Sequence, residues 1–402
     1  MKKRNGKWIL VLMFCALLMG GAVCCVKAAA TGGMERDDYA GTEKAVEGQD
    51  SYNVTEWQDS IPLDEVESAF RSMQGEESSF SIKEYVEDIM AGRASFSLAE
   101  IWNKGITHIA DQFNNQRRVL FQILALGIIA GIFINFSGTI GDRNLGEMGF
   151  YVTYLLLFAT MTTGFYMVYH VASETIGNLL DFMRALVPAF SLSLLMGTGG
   201  GTSAAYYESM LIAISLLEAL MVNILLPGVQ IYFFLSMMNQ LAENHFSRLT
   251  ELVRSFLRWS QKILFGVLVG YQGIQGILLP VIDRVKNNTV LQTAKGLPGV
   301  GNTVRSVADT VVGSGMLIKS AIGVGGLICI LVLCFYPLVK ILIFTLLYRI
   351  GGAVVQPVSD RRVAAALHAA AESGRILAGY VFAAALMFLI SIIIVLVCTN
   401  II

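Results

Sequence analysis

Beyond Arg118 the chain is a succession of long apolar runs separated by short polar breaks. Runs 119–137, 149–171, 209–238, 263–282, 322–347 and 376–398 each approach or exceed the roughly 20 residues that an α-helix needs to cross hydrocarbon. A further stretch, 186–201 (LVPAFSLSLLMGTGGG), has an apolar part too short for a full crossing and ends in a glycine cluster, so re-entrant, interfacial and half-helix readings all stay open for it. Upstream the period changes. Ile82, Val86, Ile89 and Met90 share one helical face, and Leu98, Ile101, Trp102, Ile109 and Phe113 lie on or near another. SIKE at 81–84 and SLAE at 97–100 are capping boxes, a serine followed three residues later by a glutamate. One short helix cannot bury its own apolar face, so residues 61–117 need a partner, either the apolar body of the chain or another protein. Residues 31–60 are polar without periodicity, which predicts a disordered acidic linker. Residues 1–30 have the form of a signal peptide: Lys2, Lys3, Arg4 and Lys7, then the apolar WILVLMFCALLM, then small residues at Ala28 and Ala30 that place cleavage after Ala30. The pattern therefore predicts an all-α polytopic membrane protein. A small exported helical region precedes a helical bundle over 118–402, with about six to seven transmembrane segments and broken or re-entrant glycine-rich elements.

Composition agrees with this and charge adds an orientation. The chain is 55% hydrophobic and 15% charged, well below the roughly 25% charged residues of soluble domains. Residues 31–116 hold 18 acidic and 6 basic side chains, whereas the rest of the body is weakly basic. With the leader removed and 186–197 not crossing, segments 139–148, 239–262 and 348–375 fall on the cytoplasmic side. Arg248, Arg254, Arg258 and Lys262, and then Arg349, Arg361, Arg362 and Arg375, give that side its basic excess. The basic residues of 283–321, including Lys295, Arg305 and Lys319, run against the same rule. The cations are scattered between apolar runs and form no nucleic-acid footprint.

The stretch KGLPGVGNTVRSVADTVVGSGMLIKSAIGVGG at 295–326 begins like a phosphate loop. A Walker loop requires Gly-Lys-Ser or Gly-Lys-Thr, but Gly301 is followed by Asn302 and Thr303, so a nucleotide is excluded. Pro298, Gly299 and Gly301 instead predict a break, and Gly313 and Gly315 a second one, around a short helix that presents Arg305 and Asp309 on a polar face. That makes these five residues candidate hinge positions, in an element that is either discontinuous at membrane depth or interfacial. Glu218 and Lys340 lie inside apolar runs, where a charge needs a partner or water; pairing with each other is one solution. Gly127 with Gly131, and Gly266 with Gly270, Gly273 and Gly276, are small-residue seams for close helix approach within or between subunits. His108, His170, His245 and His368 are scattered, with no metal-ligand spacing and no nucleophile motif. The residues thus propose no catalytic site, no metal and no cofactor.

Two stretches carry a family likeness. RSFLRWSQKILFGVLVGYQGIQG from Arg254, leading through KGLPGVGN and ADTVVGSGMLIKSAIGVGG to Gly326, and SDRRVAAALHAAAESGRIL at 359–377, resemble the stage III sporulation protein AE family, polytopic membrane proteins of endospore-forming bacteria. The resemblance covers nearly the whole chain. It implies a non-enzymatic membrane subunit of a secretion-like channel complex linking mother cell and forespore. It further implies a place in the mother-cell membrane around the forespore, the N-terminal region on the intermembrane side, and partners among the other membrane proteins of that complex, with room for self-association and contact with lipid. It carries over no catalytic residues. The residues alone also leave open a stand-alone secondary transporter or ion-coupled carrier.

Overall fold

The computed structural model describes residues 63–74, most of 121–132, 143–197, 200–242, 245–294, 301–357 and 359–400. The signal peptide, the acidic linker, the two capping boxes, Pro298 and Gly299 lie outside the described residues.

Described elements are helical: α1 (Leu63–Gln74), α2 (Arg143–Gly197), α3 (Gly200–Leu217), a π-helical segment (Glu218–Leu225), α4 (Leu226–Leu241), α5 (Ser247–Ala294), α6 (Gly301–Val355) and α7 (Arg361–Asn400). Among the described residues, four stretches are long and apolar enough to cross a membrane: Met148–Leu195, Gly201–Leu241, Gly315–Val355 and Arg361–Val397. The expected run 263–282 falls in the middle of α5, and the described residues of 121–132 are helical.

The main departure from the sequence reading is continuity. Run 149–171 and the short stretch from Leu186 are one 55-residue helix, α2, with Pro188 inside it. The 186–197 stretch is the far end of that helix rather than an element of its own. The segment 283–321, for which the sequence offers only a short helix between glycine breaks, is helical through Ala294 and again from Gly301. The break expected at Gly313 and Gly315 is absent, because α6 runs unbroken from Gly301 to Val355. A glycine inside a helix costs only about 1 kcal/mol relative to alanine. Burial of Ile318, Ala321 and Ile322 just beyond the pair favours continuing the helix.

α2 folds back at Gly197–Gly200 onto the composite helix α3–π–α4. Ser203 Oγ donates to the Ser191 carbonyl at 2.5 Å near the turn, Phe165 stacks on Phe233 with ring centroids 4.0 Å apart midway, and Tyr154 Oη donates to the Met237 carbonyl at 2.9 Å at the far end. α6 packs antiparallel against both α7 and α2, and α7 runs parallel to α2. Glycines make this approach close: a Cβ on Gly326 would lie 2.7 Å from Leu186 Cδ2, and one on Gly323 2.7 Å from Leu396 Cδ2. The glycines of SAIGVGG are thus seam positions. At the end of the bundle opposite the 197–200 turn, the Arg362 guanidinium sits 4.4 Å over the Phe150 ring. Segments around 143–154, 237–242 and 355–362 therefore share one end. α1 lays Val66 and Phe70, both fully buried, on the body, with Phe70 edge-on to Phe182 at 6.2 Å. For this amphipathic helix the needed partner is the apolar body.

Candidate functional site

Two ion pairs between different helices bring charge together in the described body. The first is at Glu218. Its carboxylate meets Arg184 on α2, and Arg184 Nη1 also contacts Asp181 Oδ1 at 2.7 Å. The Glu218–Lys340 pairing considered from sequence is therefore corrected: Glu218 is held by Arg184, and Lys340 stands half-buried on α6, three residues after Pro337. Glu218 also opens the π-helical segment. There the Leu226 amide donates to the Met221 carbonyl, five residues back. Pro227 explains the wide turn. It has no N–H for the Asn223 carbonyl, and in a regular α-helix its ring would collide with that carbonyl. Gly228 follows because α5 presses in, and a Cβ there would meet Leu257 Cδ2 at 2.9 Å. π-Helical turns concentrate at functional positions, and here one sits beside a cross-helix ion pair.

The second place joins α5 to α7. Glu372, whose side chain is 6% exposed, receives Arg254 Nη2 on Oε1 at 3.0 Å and Arg375 Nη1 on Oε2 at 3.5 Å. The Arg254–Oε1 contact is an ion pair by distance without hydrogen-bond alignment, and Arg254 Nε has no hydrogen-bond partner either. Burial alone would lower the Arg254 pKa, but the Tyr232 and Glu372 oxygens more than offset it and hold the guanidinium above its ordinary value. One turn on, Tyr380 Oη donates to the Leu257 carbonyl at 3.1 Å, and Gly379 faces the Gln261 amide. On the other side of α7, a Cβ on Gly374 would lie 2.6 Å from Thr345 Oγ1 of α6. The ESGRILAGY stretch is thus the junction where α5, α6 and α7 meet.

Of the positions singled out from sequence, Gly301 is the first residue of α6, and Gly313 and Gly315 lie within it. Gly127 abuts Val355, whereas Cβ atoms on Gly266, Gly270 and Gly273 would have nothing within 4 Å. That second seam has no partner helix among the described residues. Sequence reasoning missed Arg184, Asp181, Glu372 and Lys319. Lys319, counted only among the basic residues of 283–321, is fully buried within α6. Glu372 carried a signal that could have been used: an acid inside an alanine-rich, otherwise smooth helix. Among the described residues no group of three or more His, Cys, Asp or Glu side chains is placed to hold a metal ion. The arrangement can clamp helices together and fix their register.

The profile of the stage III sporulation protein AE family matches residues 80–399. The chain is similar to stage III sporulation protein AE of Bacillus subtilis (strain 168), 22% identical over 402 residues, covering 98% of each chain. No solved structure matches.

Proposed function

The chain belongs to the stage III sporulation protein AE family, and on that premise we propose that it is a non-enzymatic, multi-pass subunit of a secretion-like channel complex that links mother cell and forespore during sporulation. It works in the mother-cell membrane around the forespore, with its N-terminal region in the intermembrane space, and its partners are the other membrane proteins of that complex.

One observation carries the reading. The α2 hairpin exposes two apolar zones separated by a polar belt. The first zone is Met148, Val152, Leu155, Leu156, Tyr166 and Met167, and the second is Leu192, Leu195 and Ile212 at the turn end. Between them lie His170 with Glu174, and Asp181 with Arg184 and Glu218, all about half exposed or more. Met148–Leu195 is 48 residues long, about 72 Å at the helical rise and about 55 Å even at a 40° tilt. One hydrocarbon core is only about 30 Å thick, and burying the belt in it would cost about 2.5 kcal/mol or more per charge. A single bilayer cannot cover both zones, so one of them needs protein. That requirement fits a subunit of an assembly better than a carrier working alone. A carrier would also need its intramembrane carboxylate free to cycle, whereas Glu218 is engaged by Arg184.

The test is a tagged copy expressed from its own locus in the sporulating host. Gentle solubilisation should recover the chain with other membrane proteins of the same developmental stage, and its deletion should abolish heat-resistant spores. A chain recovered alone, a deletion that sporulates normally, or solute flux by the purified chain in liposomes would overturn the proposal.

A further inference from the structure

The inward face of α5 starts apolar and ends polar. Leu257, Leu264 and Leu268 are buried along it, and the next two positions on that face are Gln272 and Gln275, 1% and 7% exposed. Gln272 Nε2 and both amide atoms of Gln275 have no hydrogen-bond partner among the described residues. The same is true of the Tyr206 hydroxyl on α3, whose side chain is fully buried. Register brings these groups to one level of the bundle. Tyr271 Oη donates to the Ser209 carbonyl at 3.2 Å, and at the other end of the contact Leu257 meets Gly228, so α5 runs antiparallel to α3 and α4. Gln275, one turn beyond Tyr271, is therefore level with Tyr206, about one turn before Ser209. Ser391 of α7 closes the third side, its Oγ donating to Met210 Sδ at 2.9 Å.

The outward face of α5 has the opposite character, with Ile274 exposed and Gly266, Gly270 and Gly273 open. Polar inside and apolar outside is the arrangement of a membrane helix that backs onto water. Buried amides and hydroxyls are satisfied in folded proteins, and helical backbone around these positions already uses its own donors and acceptors. The Gln275 carbonyl oxygen needs a donor, and the two amide nitrogens need acceptors. Water supplies both at once and bonds to two to four such groups; an anion or a cation would satisfy only half of the set. We infer that α3, α5 and α7 enclose an internal hydrated site at the level of Tyr206, Gln272 and Gln275, whose ligand is water.

The experiment uses the full chain in lipid nanodiscs, exposed to hydroxyl radicals and read by mass spectrometry. Tyr206 and Tyr380 are both fully buried, but the Tyr380 hydroxyl is satisfied by Leu257 at 3.1 Å. Oxidation of Tyr206 should run about tenfold or more faster than that of Tyr380, because radicals form where water is. Equal background rates at the two tyrosines would overturn the inference. In the Gln272→Leu, Gln275→Leu variant the excess at Tyr206 should be lost. If it persists in folded protein, water reaches Tyr206 by another path and the site is wrongly assigned. A second probe does not depend on that variant. With native cysteines replaced, a thiol at Gln275→Cys should react with a small thiosulfonate about tenfold faster than one at Leu268→Cys on the apolar part of the same face. Equal rates would refute the assignment.

Discussion

Glu372→Gln tests the α5–α7 junction most directly. The change keeps the volume of the side chain and removes the negative charge that faces Arg254 and Arg375. Breaking a buried ion pair from one side costs about 3–5 kcal/mol, because the surviving charge is left without compensation. Here the Arg254 side chain keeps 29% of its surface in contact with solvent and Arg375 keeps 41%. Water therefore takes up part of the orphaned charge, and Arg375 contributes little. A loss of about 2–3 kcal/mol is expected after that discount. Removing Arg254 as well should relieve much of it, because only the more solvated Arg375 guanidinium then remains facing the site. Arg254→Gln combined with Glu372→Gln should thus be less destabilised than the two single changes summed, by about 1–2 kcal/mol of coupling. The assay is heat or denaturant unfolding of the four purified proteins in one lipid or detergent system, read as a double-mutant cycle. The reasoning fails if the cycle is additive within about 0.5 kcal/mol, or if Glu372→Gln leaves the midpoint where it was.

Other positions give simpler outcomes. Gly326→Val should destabilise by about 1–3 kcal/mol through overpacking, because a Cβ there already meets Leu186, and sporulation should fall with it. Gly313→Ala, inside the continuous α6, should leave sporulation intact and gain up to about 1 kcal/mol in the same unfolding assay; a sporulation defect in folded protein would restore the hinge reading. Arg184→Ala should disturb α2–α3 register and increase amide exchange over Glu218–Leu225, whereas Lys340→Met should leave exchange there unchanged, since Lys340 is not the partner of Glu218. A thiol at Ser247→Cys, in protein without native cysteines, should resist an impermeant reagent in intact cells, as the basic excess of 239–262 requires; strong labelling would reverse the proposed orientation.

The site was only half legible in the chain. Glu218 was conspicuous because a lone acid in an apolar run needs an explanation, but its partner lies 34 residues away in sequence. Arg184 sat between two recognised apolar runs, where a cation attracts no notice. Arg254 and Arg375 were counted as members of a basic cytoplasmic side, and that accounting hid their convergence on one carboxylate. Hydropathy assigns charges to sides of a membrane and contains nothing about which helices touch. What the residues did supply was place: the two stretches that carry the family likeness, 254–326 and 359–377, include both members of the Arg254–Glu372 pair, and Leu257 within the first meets Tyr380 just beyond the second.

The fold was legible as helix and illegible as length, for a physical reason. An α-helix is propagated by backbone hydrogen bonds four residues apart, and these continue through a polar turn as readily as through an apolar one. Hydropathy windows stop where the side chains change. Between His170 and Arg184 the side chains become polar and the backbone of α2 does not break. Likewise Gly313 and Gly315 alter local propensity by an amount that the packing of Ile318, Ala321 and Ile322 outweighs. Reading each apolar run as one crossing places every helix inside one bilayer by construction. The 55-residue helices α2 and α6, about 80 Å long at the helical rise, do not fit that frame. A large apolar zone outside the bilayer marks an interaction surface, so helix length supports the proposed place of this chain in an assembly.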